Sequence, residues 1–321
     1  MKKLKMKKSI KKLFGIILVL GLFLSIGIYS SIKIYKQKEY EKTNEFKLLN
    51  VGYTKEEVKS ILDIFENDEI KFIINNEKNN YYLDLTKEKY FIYDYFYEYL
   101  DYLNNNLDKP IRNIIEIVNT KTDSEYYTDT EKTDITKEEL MLVNKYYYLD
   151  ELYKPADLVS IPTTYAWGTY GSQQVTKEVY DAFLNMWKAS HNAGFYLMVS
   201  SSYRTYEKQE AVYNDYKDSY GTEYADSIAA RKGFSEHQTG YTLDMFEKGT
   251  TQKTFHTTES YQWLLDNAHK YGFILRYPED KEEITGYSFE SWHYRYVGVD
   301  AATYIHENKI TFDEYYAYFV K

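Results

Sequence analysis

The chain has 321 residues, with 40 Lys+Arg against 49 Asp+Glu, a formal net charge of −9 and no cysteine. The length admits one large or two modest domains, and a hydrophobic content of 44% excludes a wholly disordered chain. The missing cysteines exclude a disulfide framework, a Cys-ligated zinc, a cysteine nucleophile and a lipidated cysteine anchor, while the acidic balance argues against nucleic acid as a partner.

The average charge hides a split, because residues 1–36 carry nine lysines and no acid. Residues 1–12 read as a basic cytoplasmic tail. The uncharged, mostly apolar run 13–32 reads as a membrane-spanning helix. At about 1.5 Å per residue such a helix covers about 30 Å, the thickness of a bilayer core. The preceding lysines keep the N-terminus inside, which places a single-pass anchor in the cell membrane and the remaining chain outside. A cleaved signal peptide ending at Ser25-Ile26-Gly27 is the competing reading, although the apolar run continues past it.

Residues 33–135 read as a stalk and an accessory, mostly helical region. A helix is predicted over 54–66, where Thr54 and Glu57 form a capping box and Val58, Ile61, Leu62 and Phe65 share a face. Further helices are predicted near 91–104 and 110–118. The aromatic run Tyr93, Tyr95, Phe96, Tyr97 and Tyr99 fits a packed helix better than a sugar-binding stripe. The polar stretch 121–135 reads as a linker.

A denser domain is predicted over 136–321, opening on a Thr136/Glu139 capping box. Helices are expected over 176–193, 205–219, 259–271, 300–308 and 311–319, and strands over 195–201, 241–246, 273–277 and 292–297. Strands and helices mix without a regular βαβ repeat, so the class is α+β.

Of the six histidines, His191, His269 and His306 fall on helix ends or polar faces, and His256 in a polar loop. His237 and His293 have different surroundings. His237 and Asp244 are seven apart, and Thr239-Gly240 between them offers a bend that lets both converge. Glu290 precedes His293 by three. Two histidines and a carboxylate make an open zinc set, which renders a water nucleophilic at neutral pH. Glu290 fits the proton carrier, and Arg204, between a strand and a helix, fits the cation at a polarised carbonyl. These residues also suit ordinary loop and strand positions, and Arg231, Arg276 and Arg295 suit salt bridges and packing on tyrosine.

The segments carrying these residues resemble the VanY/LdcB-type zinc D-alanyl-D-alanine (or L,D-) carboxypeptidases. Ser235, His237, Gly240 and Asp244 match S-x-H-x-x-G-x-A-x-D, and Glu290, Trp292, His293, Arg295, Tyr296, Val297 and Gly298 match E-x-W-H-x-R-Y-V-G. S-S-Y-R-T-Y-E-K-Q at 201–209, L-V-N-K at 142–145, P-A-D-L-V at 155–159 and Y-G-F-I-L-R-Y-P at 271–278 agree as well. Lys232, Tyr241, Thr242 and Ser291 depart from the family pattern without removing any of these matches.

The resemblance implies a small central antiparallel sheet flanked by helices, and one Zn2+ held by His237, Asp244 and His293. It further implies Glu290 as general base and then acid, Arg204 on the scissile carbonyl or terminal carboxylate, and Tyr203, Gln209, Ser235 and Trp292 lining the substrate cleft. The implied reaction removes the C-terminal D-alanine from peptidoglycan stem peptides. The alternatives are L,D-carboxypeptidase action on tetrapeptide stems, or a non-catalytic cell-wall-binding protein of the same fold.

Overall fold

The computed structural model describes residues 2–167 and 173–321. The chain divides into two compact units, Met1–Phe91 and Ile92–Lys321.

The first unit begins with the helix Lys2–Glu41, whose portion from Lys11 is long and apolar enough to cross a membrane and is exposed along its apolar run. Four short helices follow, Asn44–Val51, Lys55–Ile64, Asn67–Asn75 and Tyr81–Lys87. They bury Leu48, Ile61, Ile73 and Leu85 completely. The Thr54/Glu57 capping box forms, with the Thr54 N–H donating to Glu57 Oε2 at 2.6 Å and the Glu57 N–H to Thr54 Oγ1 at 3.2 Å. The helix stops at Ile64 because Phe65 turns extended and buries its ring.

The second unit is built on a four-stranded sheet in the order Leu197–Ser201, Thr242–Glu247, His293–Tyr296, Phe273–Leu275, with every neighbour antiparallel. Strand side chains alternate between faces. Leu243, Met245, Tyr294 and Tyr296 therefore join one buried cluster with Leu197, Val199 and Phe273, packed with Val179, Phe183 and Met186 from the helix Lys177–Asn192. Asp244, His293 and Arg295 fall on the opposite face, and that alternation creates the site.

The helix predicted over 259–271 is an α-helix, Glu259–Asn267, that tightens into a 3₁₀ turn, Ala268–Tyr271, before Gly272. Gly272 has φ +84°, and a Cβ there would lie 2.5 Å from Tyr296 Cε2, so both backbone and space require glycine.

The helices Phe96–Asn105 and Ile111–Thr120 belong to the second unit, where Ile111–Thr120 meets the C-terminal helix Phe312–Phe319. Phe96 and Tyr99 are buried, as a packed helix requires, while Tyr97 stays exposed. The stretch read as a linker contains the short strand Glu131–Lys132, paired in parallel with Tyr147–Tyr148. The Thr136/Glu139 capping box does not form. Asp134 instead accepts the Thr136 N–H at 3.0 Å, and Ile135–Leu140 is a 3₁₀ segment kinked at Glu138. An aspartate two residues upstream is the shorter route to the same orphan donor.

Lys145 is buried with its Nζ 2.7 Å from the Asp226 carbonyl and 4.1 and 4.6 Å from the ring centres of Tyr126 and Tyr287. Burial pushes its amine down to about 8.

Candidate metal centre

His237 lies on a buried 3₁₀ turn, Glu236–Thr239, closed by Gly240 in the left-handed region at φ +74°. A Cβ on Gly240 would meet Pro155 Cγ at 3.0 Å and Leu158 Cδ2 at 3.2 Å. The turn delivers the chain straight into the strand that carries Asp244, which is the bend that seven-residue spacing needs. His293 opens the neighbouring strand in register with Asp244.

The three side chains converge. Asp244 Oδ1 is 3.5 Å from His237 Nε2 and 3.5 Å from His293 Nδ1, and the three ligand atoms lie within 4.8 Å of one another. Each ring has its other nitrogen engaged. His237 Nδ1–H donates to the Ser202 carbonyl at 2.7 Å, and His293 Nε2–H faces Glu236 Oε2 at 3.3 Å. These acceptors orient the rings and aim His237 Nε2 and His293 Nδ1 at Asp244. Asp244 Oδ1 is buried and receives no hydrogen bond. A buried carboxylate oxygen without a donor, facing one nitrogen of each imidazole, suits a cation, and two imidazoles with one carboxylate fit zinc with an open position.

Burial disfavours charge on His237 and lowers its pKa, with Asp244 opposing, so the ring is neutral as a ligand must be. Burial would raise the Asp244 carboxyl, but His237, His293 and Arg204 outweigh it and hold it below the ordinary value. Burial also opposes charge on His293, yet Glu236, Glu290 and Asp244 crowd it and raise its pKa to about 9, so a metal bound there displaces a proton from Nδ1. Three carboxylates around one ring create a potential that also favours a divalent cation.

Glu290 is buried, with its Oε2 3.3 Å from His293 Nδ1. Burial pushes its carboxyl up, against the pull of His293 and Arg204. Arg204 follows the strand Leu197–Ser201 and precedes the helix Tyr206–Tyr220, which Thr205 caps. Its N–H donates to the His237 carbonyl at 3.0 Å, Nη1 to Gln209 Oε1 at 2.6 Å and Nη2 to Ser201 Oγ at 2.9 Å. Gln209 is buried and is itself held by the Ala230 carbonyl at 2.7 Å.

The metal-site residues open onto a cavity of about 420 Å³. Arg204, Gln209, Ser235, Glu290 and Trp292 line it. Tyr203 does not, and its N–H bonds the Gln174 carbonyl at 2.8 Å. The outer wall carries Tyr216, Tyr220, Tyr224 and Phe289, which no spacing in the sequence marked. Glu236 also escaped the sequence reading, although it stands beside His237 and faces His293.

Residues 172–299 match the model of the VanY family, D-alanyl-D-alanine carboxypeptidase. Over 204 residues the chain is 37% identical to putative carboxypeptidase YodJ of Bacillus subtilis (strain 168), covering 60% of this chain and 75% of that protein. Over 219 residues it is 30% identical to a D-alanyl-D-alanine carboxypeptidase of Enterococcus faecium, covering 66% of this chain and 68% of that one. Among solved structures it is similar to the LdcB LD-carboxypeptidase, with a TM-score of 0.55 and 37% identity over 60% of this chain and 91% of that one. With two adjacent strands presenting Asp244 and His293, and the turn of His237 and the loop of Glu290 joining them at one cavity, the chain belongs to the VanY family of D-alanyl-D-alanine carboxypeptidases.

Proposed function

We propose that this protein is a zinc-dependent carboxypeptidase that removes the C-terminal D-alanine from peptidoglycan stem peptides, working outside the cell membrane on an anchor formed by its N-terminal helix. The observation that carries the reading is Asp244 Oδ1, buried without a donor and 3.5 Å from a nitrogen of each histidine.

His237, Asp244 and His293 hold the metal in this reading. When bound there, zinc polarises the scissile carbonyl and makes an attacking water acidic enough to ionise near neutral pH. Glu290 stands outside the three-ligand set but beside it. Its carboxylate accepts the proton of the attacking water and delivers it to the departing amine of D-alanine. Arg204, fixed by Gln209 and Ser201, holds its guanidinium toward the negative charge of the substrate's carbonyl oxygen or terminal carboxylate. The tyrosines of the outer wall and Trp292 exclude water and receive the rest of the stem.

A second reading has its own support. The similarity to the LdcB LD-carboxypeptidase spans 91% of that chain, which supports L,D-carboxypeptidase action on tetrapeptide stems as the alternative for the same site. Incubating the full chain with pentapeptide and tetrapeptide muropeptides, with and without a chelator, separates the two by mass spectrometry. Chelator-sensitive loss of one alanine from the pentapeptide is the expected result. Loss from the tetrapeptide alone selects the L,D reading, and loss from neither by zinc-loaded protein overturns both.

A further inference from the structure

The two imidazoles are not held alike. His237 rests on a backbone carbonyl, whereas His293 rests on a carboxylate, Glu236, that is itself completely enclosed. A carboxylate behind a ligand imidazole fixes its tautomer and raises its basicity more than a carbonyl does.

Glu236 is not free to turn. Its Oε1 accepts from Arg276 Nε at 2.7 Å and lies 3.4 Å from Arg295 Nη1, which leaves Oε2 for His293. Arg276 is fully buried in turn and is gripped at its far end by Asp313, with Nη1 2.6 Å from Oδ2 and Nη2 3.2 Å from Oδ1. Asn144 Nδ2 donates to Asp313 Oδ1 at 2.8 Å. The result is one continuous buried series, Asn144–Asp313–Arg276–Glu236–His293. Asn144 belongs to the L-V-N-K segment and Arg276 to Y-G-F-I-L-R-Y-P, two segments for which the proposed reaction has no use. Asn144 and Asp313 both lie outside the residues 172–299 that match the family model.

We propose that Glu236 is a positioning residue for the metal centre, and that Arg276 and Asp313, reaching it from the neighbouring strand end and the C-terminal helix, set how firmly His293 presents Nδ1 to the metal. The proposal rests on the assignment of His293 as a ligand. Its charges balance internally, since two guanidiniums face two carboxylates, so the series can stay ionised without solvent. Each member forces the next. Asp313 occupies the outer edge of the Arg276 guanidinium, which turns Nε toward Glu236, and this in turn leaves only one carboxylate oxygen for His293.

The test uses the full chain in detergent, with zinc affinity measured by chelator competition and the visible spectrum of the Co(II)-substituted protein as a reporter of ligand geometry. Glu236→Gln is expected to weaken zinc binding about 10–100-fold and to shift the Co(II) bands. Asp313→Asn, which touches no metal ligand and keeps one acceptor oxygen for Asn144 Nδ2 and Arg276 Nη2 but loses the bond from Arg276 Nη1, is expected to weaken zinc in the same direction by a smaller factor. If Glu236→Gln does not fold, Asp313→Asn decides. Zinc affinity and Co(II) spectrum equal to the parent's in every folded variant would overturn the proposal. A parent chain that binds no zinc would instead overturn the ligand assignment.

Discussion

Asp244 and His293 sit directly opposite each other on adjacent antiparallel strands, and their side chains meet at 3.5 Å on the face of the sheet away from the helix Lys177–Asn192. The contact is fixed by strand register, because a slip of one residue would send the slipped strand's side chain to the opposite face, into the apolar cluster. Asp244→Ala is therefore expected to remove bound zinc almost completely while the sheet survives. Metal analysis after desalting, beside a far-ultraviolet circular dichroism spectrum, checks both halves.

Glu290 contributes no ligand atom to the three-residue set, although it touches His293. Glu290→Gln should keep zinc at the parent's stoichiometry and lower turnover about 10²–10⁴-fold, the usual worth of a positioned proton carrier. Loss of zinc together with activity would place Glu290 among the ligands instead.

The Arg204 guanidinium is held by Gln209 and Ser201. Arg204→Ala is expected to reduce kcat about 10²–10³-fold, equivalent to about 2.7–4 kcal/mol, with zinc content unchanged. Gln209→Ala should cost less, since the cation remains but loses one of its two side-chain partners. Activity of Arg204→Ala within a factor of about two of the parent would remove this residue from the reaction, because that is under 0.5 kcal/mol.

Lys145 gives a pH dependence with a definite sign. Its amine is lowered by burial from 10.5 to about 8. Between those values the unfolded chain binds more protons than the folded one, so this residue makes stability rise with pH across that window. Lys145→Met removes the titration. The difference in unfolding free energy between parent and variant, followed by denaturant titration from pH 7 to pH 10, should move in the parent's favour as pH increases.

Gly272 is a purely structural prediction. Gly272→Ala forces a Cβ into Tyr296 and a side chain into φ +84°. The expected cost is about 1–3 kcal/mol from the backbone alone, more with the clash. Thermal unfolding reads it as a lowered Tm, with zinc affinity retained in the protein that stays folded.

Much of the second unit was legible because its elements carry strong local signals. The helix Lys177–Asn192 shows its face in Val179, Phe183 and Met186, and the strand Thr242–Glu247 alternates as a half-buried strand should. The convergence of His237 on Asp244 was legible in the Thr239-Gly240 bend and that of Glu290 on His293 in their three-residue spacing, whereas the meeting of the two segments was implied by the family resemblance alone. Glu236 was not, because its meaning comes from Arg276 and Asp313, 40 and 77 positions downstream, and only tertiary folding joins them. The short helices Gln252–Phe255 and Glu282–Thr285 also left no mark, since one turn shows no period. At Thr136 two local signals competed, and the closer aspartate won.

Asp313 stands beyond the last recognisable signature residue, Gly298. A polypeptide cut short after that glycine would retain each conserved-looking letter and yet strand a guanidinium in the dark interior with half its counterions gone. A protein trimmed to the signature alone would thus lack the counterion that Asp313 gives Arg276, and its grip on zinc should be weaker than that of the full chain.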